Sequence, residues 1–292
     1  MAAGLGSRYG WLKQIDPVGP YGEILLEFAL KDALTLGIEE VVVIVSETIR
    51  DDFESMIVTK YPALKITLVI QSIDKIPSFL INNSEFLIWA ERTKPWWTAH
   101  AVWCAREVIT WPFIVMNADD FYGQDALEQA YNFLAHHSAD TEHCIITYPI
   151  ASTLSEYGTV SRGICAVENG KLTKIVEHTK VARKDGKLIH TAEDGHETIV
   201  PEDAPANMNL FGFHKSFFEI LDRECQKFFR EFGQDLKREF FLPSVVMQVI
   251  KENVGTITAI STTSSWFGMT YPEDRLEAKN KIQKLVEQGM YL

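Results

Sequence analysis

Short apolar runs alternate with helically spaced apolar faces through the first half of the chain. Val41–Val45, Ile66–Ile70, Phe113–Met116 and Cys144–Tyr148 are compact runs rich in β-branched and aromatic residues, as strands buried on both faces require. Between them, Ile24–Leu36 sets Leu26, Leu30, Ala33 and Leu34 on one face and meets Gly37 where a helix stop is expected. Residues 51–60, Thr98–Ile109 and Ala126–Ala135 carry the same helical spacing. Repeated strand-then-helix units predict an α/β fold, doubly wound, with a mainly parallel mixed sheet and helices on both faces.

The second half changes style. Gly163–Glu168 and Lys171–Glu177 flank Asn169-Gly170, a two-residue hairpin signal, so a small antiparallel addition is expected. Residues 182–206 are polar and turn-rich without a clear period and read as a surface excursion. A strand over Met208–Phe213, helices over 216–230 and 242–252, a strand over Thr256–Ile260 and a helix over 273–288 follow. No repeat or linker-like tract divides the chain, so 1–292 reads as one domain.

Charge and thiol usage narrow the partners. Lys and Arg number 28 against 40 acids, a formal charge of −12, which argues against a nucleic-acid or anionic-membrane binder. The four cysteines form no C-x-x-C pair and suit a reducing cytoplasm. No apolar run approaches the ~18 residues of a membrane span, so a cytoplasmic protein is expected.

Against that acidic background, residues 1–15 contain Arg8 and Lys13 and no acid. Gly4 and Gly6 allow close backbone approach to an anion, Arg8 can fork onto phosphate oxygens, and Lys13 supplies a point charge. The spacing fits neither a dinucleotide fingerprint nor a P-loop, and a glycine turn with two solvated cations would look the same. Asn117-Ala118-Asp119-Asp120 follows the strand at 113–116, so its acids would lie at the carboxyl edge where open α/β sheets bind ligands. A carboxylate there suits Mg²⁺; two solvated loop acids, one capping the next helix, are the alternative.

Ala2-Ala3-Gly4-Leu5-Gly6-Ser7-Arg8, with Lys13 five residues later, resembles the signature of the sugar-phosphate nucleotidyltransferases, or NDP-sugar pyrophosphorylases. Further elements resemble that family in order: Lys94–Val102, Asn117–Asp120, Tyr157–Val160, Val176-Glu177 and Met208-Asn209. The resemblance implies a Rossmann-like domain with a nucleotide-binding half over 1–150 and a sugar-phosphate half with C-terminal helices over 151–292. It implies that Ala3, Gly4, Leu5, Gly6, Ser7, Gln71, Thr98 and Asp120 bind the nucleotide, and that Arg8, Lys13 and Asp119 are catalytic. Asp119 would hold Mg²⁺, while Gly158, Glu177, Lys180 and Asn209 would line the acceptor site. The implied reaction joins an NTP and a sugar 1-phosphate to give an NDP-sugar and pyrophosphate. Neither nucleic acid nor a membrane enters it, and a homo-oligomer stays open.

Four departures qualify the resemblance. The chain starts at Met1-Ala2-Ala3, so most of the family's first strand is missing: either translation begins upstream or that strand is very short. Trp11 stands in the phosphate loop where relatives carry a small residue. Trp97 stands where the family has a glycine facing the base, and it could stack on a base, fill the pocket or pack in the core. Gly268 stands where the family has a second metal-binding aspartate, and His178 where it has a phosphate-binding lysine, a role Lys180 would then take. These departures leave two alternatives open: an impaired nucleotide- or NDP-sugar-binding regulatory homologue, or a transferase acting on a non-sugar phosphate.

Overall fold

The computed structural model describes residues 1–4, 15–81, 92–269 and 271–291. Helix α1 (Leu25–Thr35) ends at the expected glycine and buries Leu26 and Leu30 in one core cluster with Val43 and Val45 of strand β1 (Glu40–Val45). Strand β2 (Lys65–Ile70) pairs with β1 in parallel over all six residues. Two crossover helices are shorter than the periodicity suggests. A four-residue turn of α-helix, α2 (Arg50–Phe53), runs into a wider π-type turn. The short helix α3 (Ser78–Ile81) comes next, and α4 covers only Thr98–Cys104 before loosening into turns. The expected helix to Ile109 contains the β-branched Val108 and Ile109 at its end, poor partners for continuing a helix.

Strand β3 (Phe113–Val115) leads to the two-residue β4 (Asp120–Phe121), helix α5 (Gln124–His136) and β5 (Glu142–Pro149). Strands β6 (Val160–Glu168) and β7 (Lys171–Lys184) form the predicted hairpin around Asn169-Gly170, both at positive φ. The excursion expected over 182–206 is instead the end of β7 followed by β8 (Lys187–Thr191) and β9 (Glu197–Val200). Asp185-Gly186 makes the second turn, with φ of 50° and 77°. Strand β10 (Pro205–Phe213) returns to the core, followed by α6 (Phe217–Phe232), α7 (Leu242–Lys251), β11 (Thr256–Ser261), β12 (Phe267–Gly268) and α8 (Asp274–Glu287).

The fold is mixed α/β, but the expected mainly parallel sheet needs correction. Among the described residues β1–β2 and β5–β11 are parallel, while the other pairings are antiparallel. Strands β11, β5, β10, β6 and β7 follow one another and close back through Thr258 and Lys171, a five-stranded ring. The hairpin is therefore the wall of a barrel-like sheet rather than an appendage.

Met1 and Ala2 bridge the two sheets. Ala2 N–H donates to Ile44 at 2.6 Å, and Ala118 N–H donates to Met1 at 2.9 Å. Beside this bridge, β1 and β3 stand apart and face an apolar cavity of about 670 Å³, lined among others by Leu30, Val42, Phe113 and Leu134. The bridge fixes where Ala3 and Gly4 emerge: at the carboxyl edge shared by β1 and β3.

Candidate functional site

Three segments end at that edge. Gly4 is exposed and begins the predicted phosphate loop; Leu5, Gly6, Ser7, Arg8, Trp11 and Lys13 lie outside the described residues. Gln71 ends β2, its backbone N–H donating to Val45 at 2.8 Å. Asn117–Asp120 follows β3, with Asp119 half-buried and Asp120 buried.

The acids differ in surroundings. Asp120 accepts a hydrogen bond from Asn117 Nδ2 at 2.9 Å and pairs through its backbone with Gly268. A Cβ built on Gly268 would stand 2.2 Å from Asp120 Oδ1, so the carboxylate of Asp120 occupies the space that a side chain at 268 would need. The Tyr122 hydroxyl accepts from Asn117 N–H at 3.1 Å and donates to the Met208 carbonyl at 2.7 Å. One buried phenol thus joins the acid loop to β10. Burial and the neighbouring carboxylates push its pKa well up, so it stays a neutral donor.

At that junction β10 departs from regular pairing: its register with β5 shifts between Asn207 and Phe211, and Asn209 takes φ 62°. The Asn209 N–H is held by Asn207 Oδ1 at 2.9 Å. Bulges of this kind re-aim a side chain, and asparagine tolerates the left-handed region better than most residues. Asn207, Gly163 and Glu177 form one rung across β10, β6 and β7. A Cβ on Gly163 would stand 2.8 Å from Ile175 Cγ2 and 3.5 Å from both Glu177 Oε2 and Asn207 Cβ, so the glycine leaves open the space between these strands. Partial burial raises the Glu177 carboxyl pKa, although Arg162 and His178 oppose the shift.

Arg162 is the cation between these groups. Its guanidinium donates to Thr153 and Ser161 carbonyls and lies over the Trp266 ring. Burial pulls its pKa to about 10 against the pull of Asp120, Glu177 and Asp274, so it stays charged. Lys180 is exposed at φ 52°, where β7 bulges against β6. His178, the cross-strand partner of Arg162, lies edge-on to His190 with ring centroids 4.5 Å apart.

The segment at Gly158 and the edge at Gln71 are less simply arranged. Gly158 lines a cavity of about 770 Å³ together with Tyr157, Arg183, Trp266 and Lys281; Asp119, Glu177, Lys180 and Asn209 are not part of that lining. The Tyr271 hydroxyl lies against Gly158 and donates to the Thr159 carbonyl at 2.9 Å. Gln71 turns its amide inward: Nε2 donates to the Trp97 carbonyl at 2.9 Å and meets His100 Nδ1 at 3.2 Å. His100 in turn donates from Nε2 to the Lys75 carbonyl at 2.6 Å, and burial lowers its pKa to about 4. A neutral imidazole with Nδ1 free to accept is the form this chain of bonds requires. The Thr98 hydroxyl accepts from Leu242 N–H at 2.9 Å, tying α4 to the start of α7.

The two adjacent tryptophans part company. Trp96 is 1% exposed, packed on Phe229 and capped by the Arg92 guanidinium 3.8 Å from its ring. Trp97 is 39% exposed and keeps φ 79° and ψ −162°, backbone that belongs almost solely to glycine and costs other residues ~1–3 kcal/mol. The sequence pattern singled out none of Tyr122, Arg162 and Asn207, and it included Asn117 and His100 only as members of longer segments. The bonds of Tyr122 to Met208 and of His100 to Lys75 and Gln71 join residues far apart in the chain, so no spacing signal marks them.

The model of the nucleotidyl transferase family matches residues 11–262. No curated protein matches the chain. Among solved structures, a Bacillus anthracis protein described as a glucose-1-phosphate thymidylyltransferase aligns with TM-score 0.63 at 14% identity, covering 97% of this chain and 93% of its own. The inositol-1-phosphate CTP transferase of T. maritima aligns with TM-score 0.61 at 14% identity, covering 97% and 94%. A UDP-glucose pyrophosphorylase of Acinetobacter baumanii aligns with TM-score 0.58 at 14% identity, covering 98% and 96%. At such identities these likenesses concern the fold.

Proposed function

Because the chain belongs to the nucleotidyl transferase family, we propose that it transfers the nucleotidyl group of an NTP to a sugar 1-phosphate with Mg²⁺. The observation that carries this reading is the Tyr122 link, which holds the Asn117–Asp120 loop against the bulged strand bearing Asn209. An acid loop for the triphosphate and a polar rung for an acceptor are thereby fixed to each other. The acceptor phosphate attacks the α-phosphorus in line, forming a new P–O bond. The bond to the β-phosphate oxygen breaks, and pyrophosphate leaves. The nucleophile is already an anion, so positioning and charge neutralisation dominate and no general base is needed.

In this proposal Arg8 and Lys13 hold the triphosphate, on the strength of their sequence pattern. Glu177 and Asn209 orient acceptor hydroxyls, and Lys180 meets the acceptor phosphate. Asp119 fits a divalent cation: it is a half-buried carboxylate beside the emerging glycine loop. Among the described residues no group of three or more potential ligands builds a complete cage. That suits an ion that takes one or two carboxylates and fills its shell with phosphate and water. When bound there, Mg²⁺ would offset charge on the departing pyrophosphate. We place the reaction in the cytoplasm, where the four unpaired, buried cysteines would stay reduced; among the described residues no helix is long and apolar enough to cross a membrane.

The test is to incubate the protein with each NTP, Mg²⁺ and a panel of sugar 1-phosphates and to measure pyrophosphate. Release with one NTP and one sugar phosphate is expected. Release only with a polyol or amino-alcohol phosphate would replace the acceptor class. Nucleotide binding without release would leave a binding protein and end the transferase reading for this chain.

A further inference from the structure

We propose that Trp97, with Phe241 beside it, is the stacking platform for the nucleobase of the bound nucleotide. The inference rests on the nucleotidyl-transfer reading and adds a residue that fixes where the base lies.

Backbone pairing sets the platform's direction. Phe240 N–H donates to the Trp96 carbonyl at 2.9 Å, and Ala99 N–H donates to the Phe240 carbonyl at 3.0 Å. This short ladder joins 96–99 to 240–242 and sorts the aromatics in alternation. Trp96 and Phe240 point into the core and are buried, whereas Trp97 and Phe241 are 39% and 40% exposed. The outward rings meet edge to face with centroids 6.1 Å apart. The core thus takes one tryptophan of the pair, and the other is displayed.

Two further observations separate this display from a chance exposed aromatic. First, Trp97 holds a backbone conformation that only glycine adopts without strain, and strain of this kind persists where surrounding structure over-determines it. Second, the support is rigid and buried. The Lys75–His100–Gln71 chain of bonds ends on the Trp97 carbonyl. Arg92 braces the same loop from the other side, donating to carbonyls of Lys94, Pro95, Asp235 and Arg238. Gln71 ends β2 and is bonded to Val45 of β1, and Ala2 is bonded to Ile44 of β1, so platform and glycine loop share one sheet edge. A flat ring held at the edge where Gly4 emerges suits the π-face of a base, which every base possesses.

Calorimetric titration of each NTP, and of inorganic tripolyphosphate as a base-free probe, into wild type, Trp97→Gly and Trp97→Phe tests this. Trp97→Gly should bind the preferred NTP on the order of tenfold more weakly, the size of one lost base stack. Its tripolyphosphate affinity should be unchanged, and its Tm should be no lower than wild type because glycine relieves the backbone. Trp97→Phe should stay within about threefold for the NTP, since a ring remains. Equal or tighter NTP binding by Trp97→Gly would overturn the inference, because the indole would be idle or in the way. A parallel loss of tripolyphosphate would overturn it as well, by showing a general disturbance of the phosphate site. So would self-association that Trp97→Gly abolishes at unchanged NTP affinity, which would make the indole a contact between copies. If wild type binds tripolyphosphate but no NTP more tightly, the platform fails while a phosphate site survives. If it binds neither, nucleotidyl transfer itself fails and the platform with it.

Discussion

Placing a methyl group at Gly268 should be costly for one nameable reason, the carboxylate of Asp120. A Cβ there would lie 2.2 Å from Asp120 Oδ1 and 3.0 Å from Trp266 Cζ2. Gly268 has an ordinary backbone, so φ strain does not enter. Neither neighbour yields easily: Trp266 is buried, and Asp120 is buried and bonded to Asn117. Relief means either breaking that charge-assisted bond or shifting β12 from β4, and each costs about 1–3 kcal/mol. We therefore expect Gly268→Ala to lose about 2 kcal/mol. With unfolding entropy near 2.1 cal/mol/K per residue, that is a fall in Tm of roughly 3 °C for this chain. A double-mutant cycle with Asp120→Ala isolates the cause, because the methyl group would then enter space the carboxylate has left. Denaturant melts of the four proteins should give a coupling energy above ~1 kcal/mol. A Gly268→Ala penalty unchanged in the Asp120→Ala background would refute the steric argument.

Other expectations concern catalysis, the phenol link and pH. Asp119→Ala and Lys13→Ala should each lower pyrophosphate release by orders of magnitude while leaving the Tm within a few degrees of wild type; near-normal turnover in either would remove that residue from the mechanism. Tyr122→Phe leaves the Asn117 N–H and Met208 carbonyl without their phenol, so thermal melts should report a loss of about 1–3 kcal/mol. His143 accepts from His214 N–H at 3.2 Å, and burial lowers its pKa to about 4 from the ordinary 6.5. The unfolded chain therefore takes up this proton first. The stability from neutral His143 is full above about pH 6.5 and is lost as pH falls toward 4. The stability difference between wild type and His143→Gln should accordingly shrink between pH 7 and pH 4.5, and a constant difference would contradict the assignment.

What the sequence made legible were features that announce themselves locally. The buried runs at 41–45 and 66–70 pair as parallel strands, and Asn169-Gly170 turns a hairpin. The stretch 182–206 was misleading because β9 exposes three of its four residues, so no apolar alternation marks it. Its Asp185-Gly186 turn signal was nonetheless present. Ring closure through Thr258 and Lys171 joins positions 87 residues apart, and no local pattern encodes it. At the site, Trp97 and Gln71 stood out by type, but their orientation depended on distant partners. Gln71 turns inward because His100 and the Trp97 carbonyl satisfy its amide there. Trp97 turns outward because Trp96 already fills the core.

The Tyr122 hydroxyl has a consequence for how this enzyme could change its substrate. It bonds the backbone on both sides, at Asn117 and at Met208, and lies 3.4 Å from the carboxylate of Asp120, so strand and acid loop are held through one group. A shift of β10 that admitted a bulkier acceptor would pull the acid loop with it. Altered acceptor preference and altered turnover should then arise together in variants of β10. New specificities would be more accessible through the residues we propose for the acceptor on β7, Glu177 and Lys180, which lie outside that link.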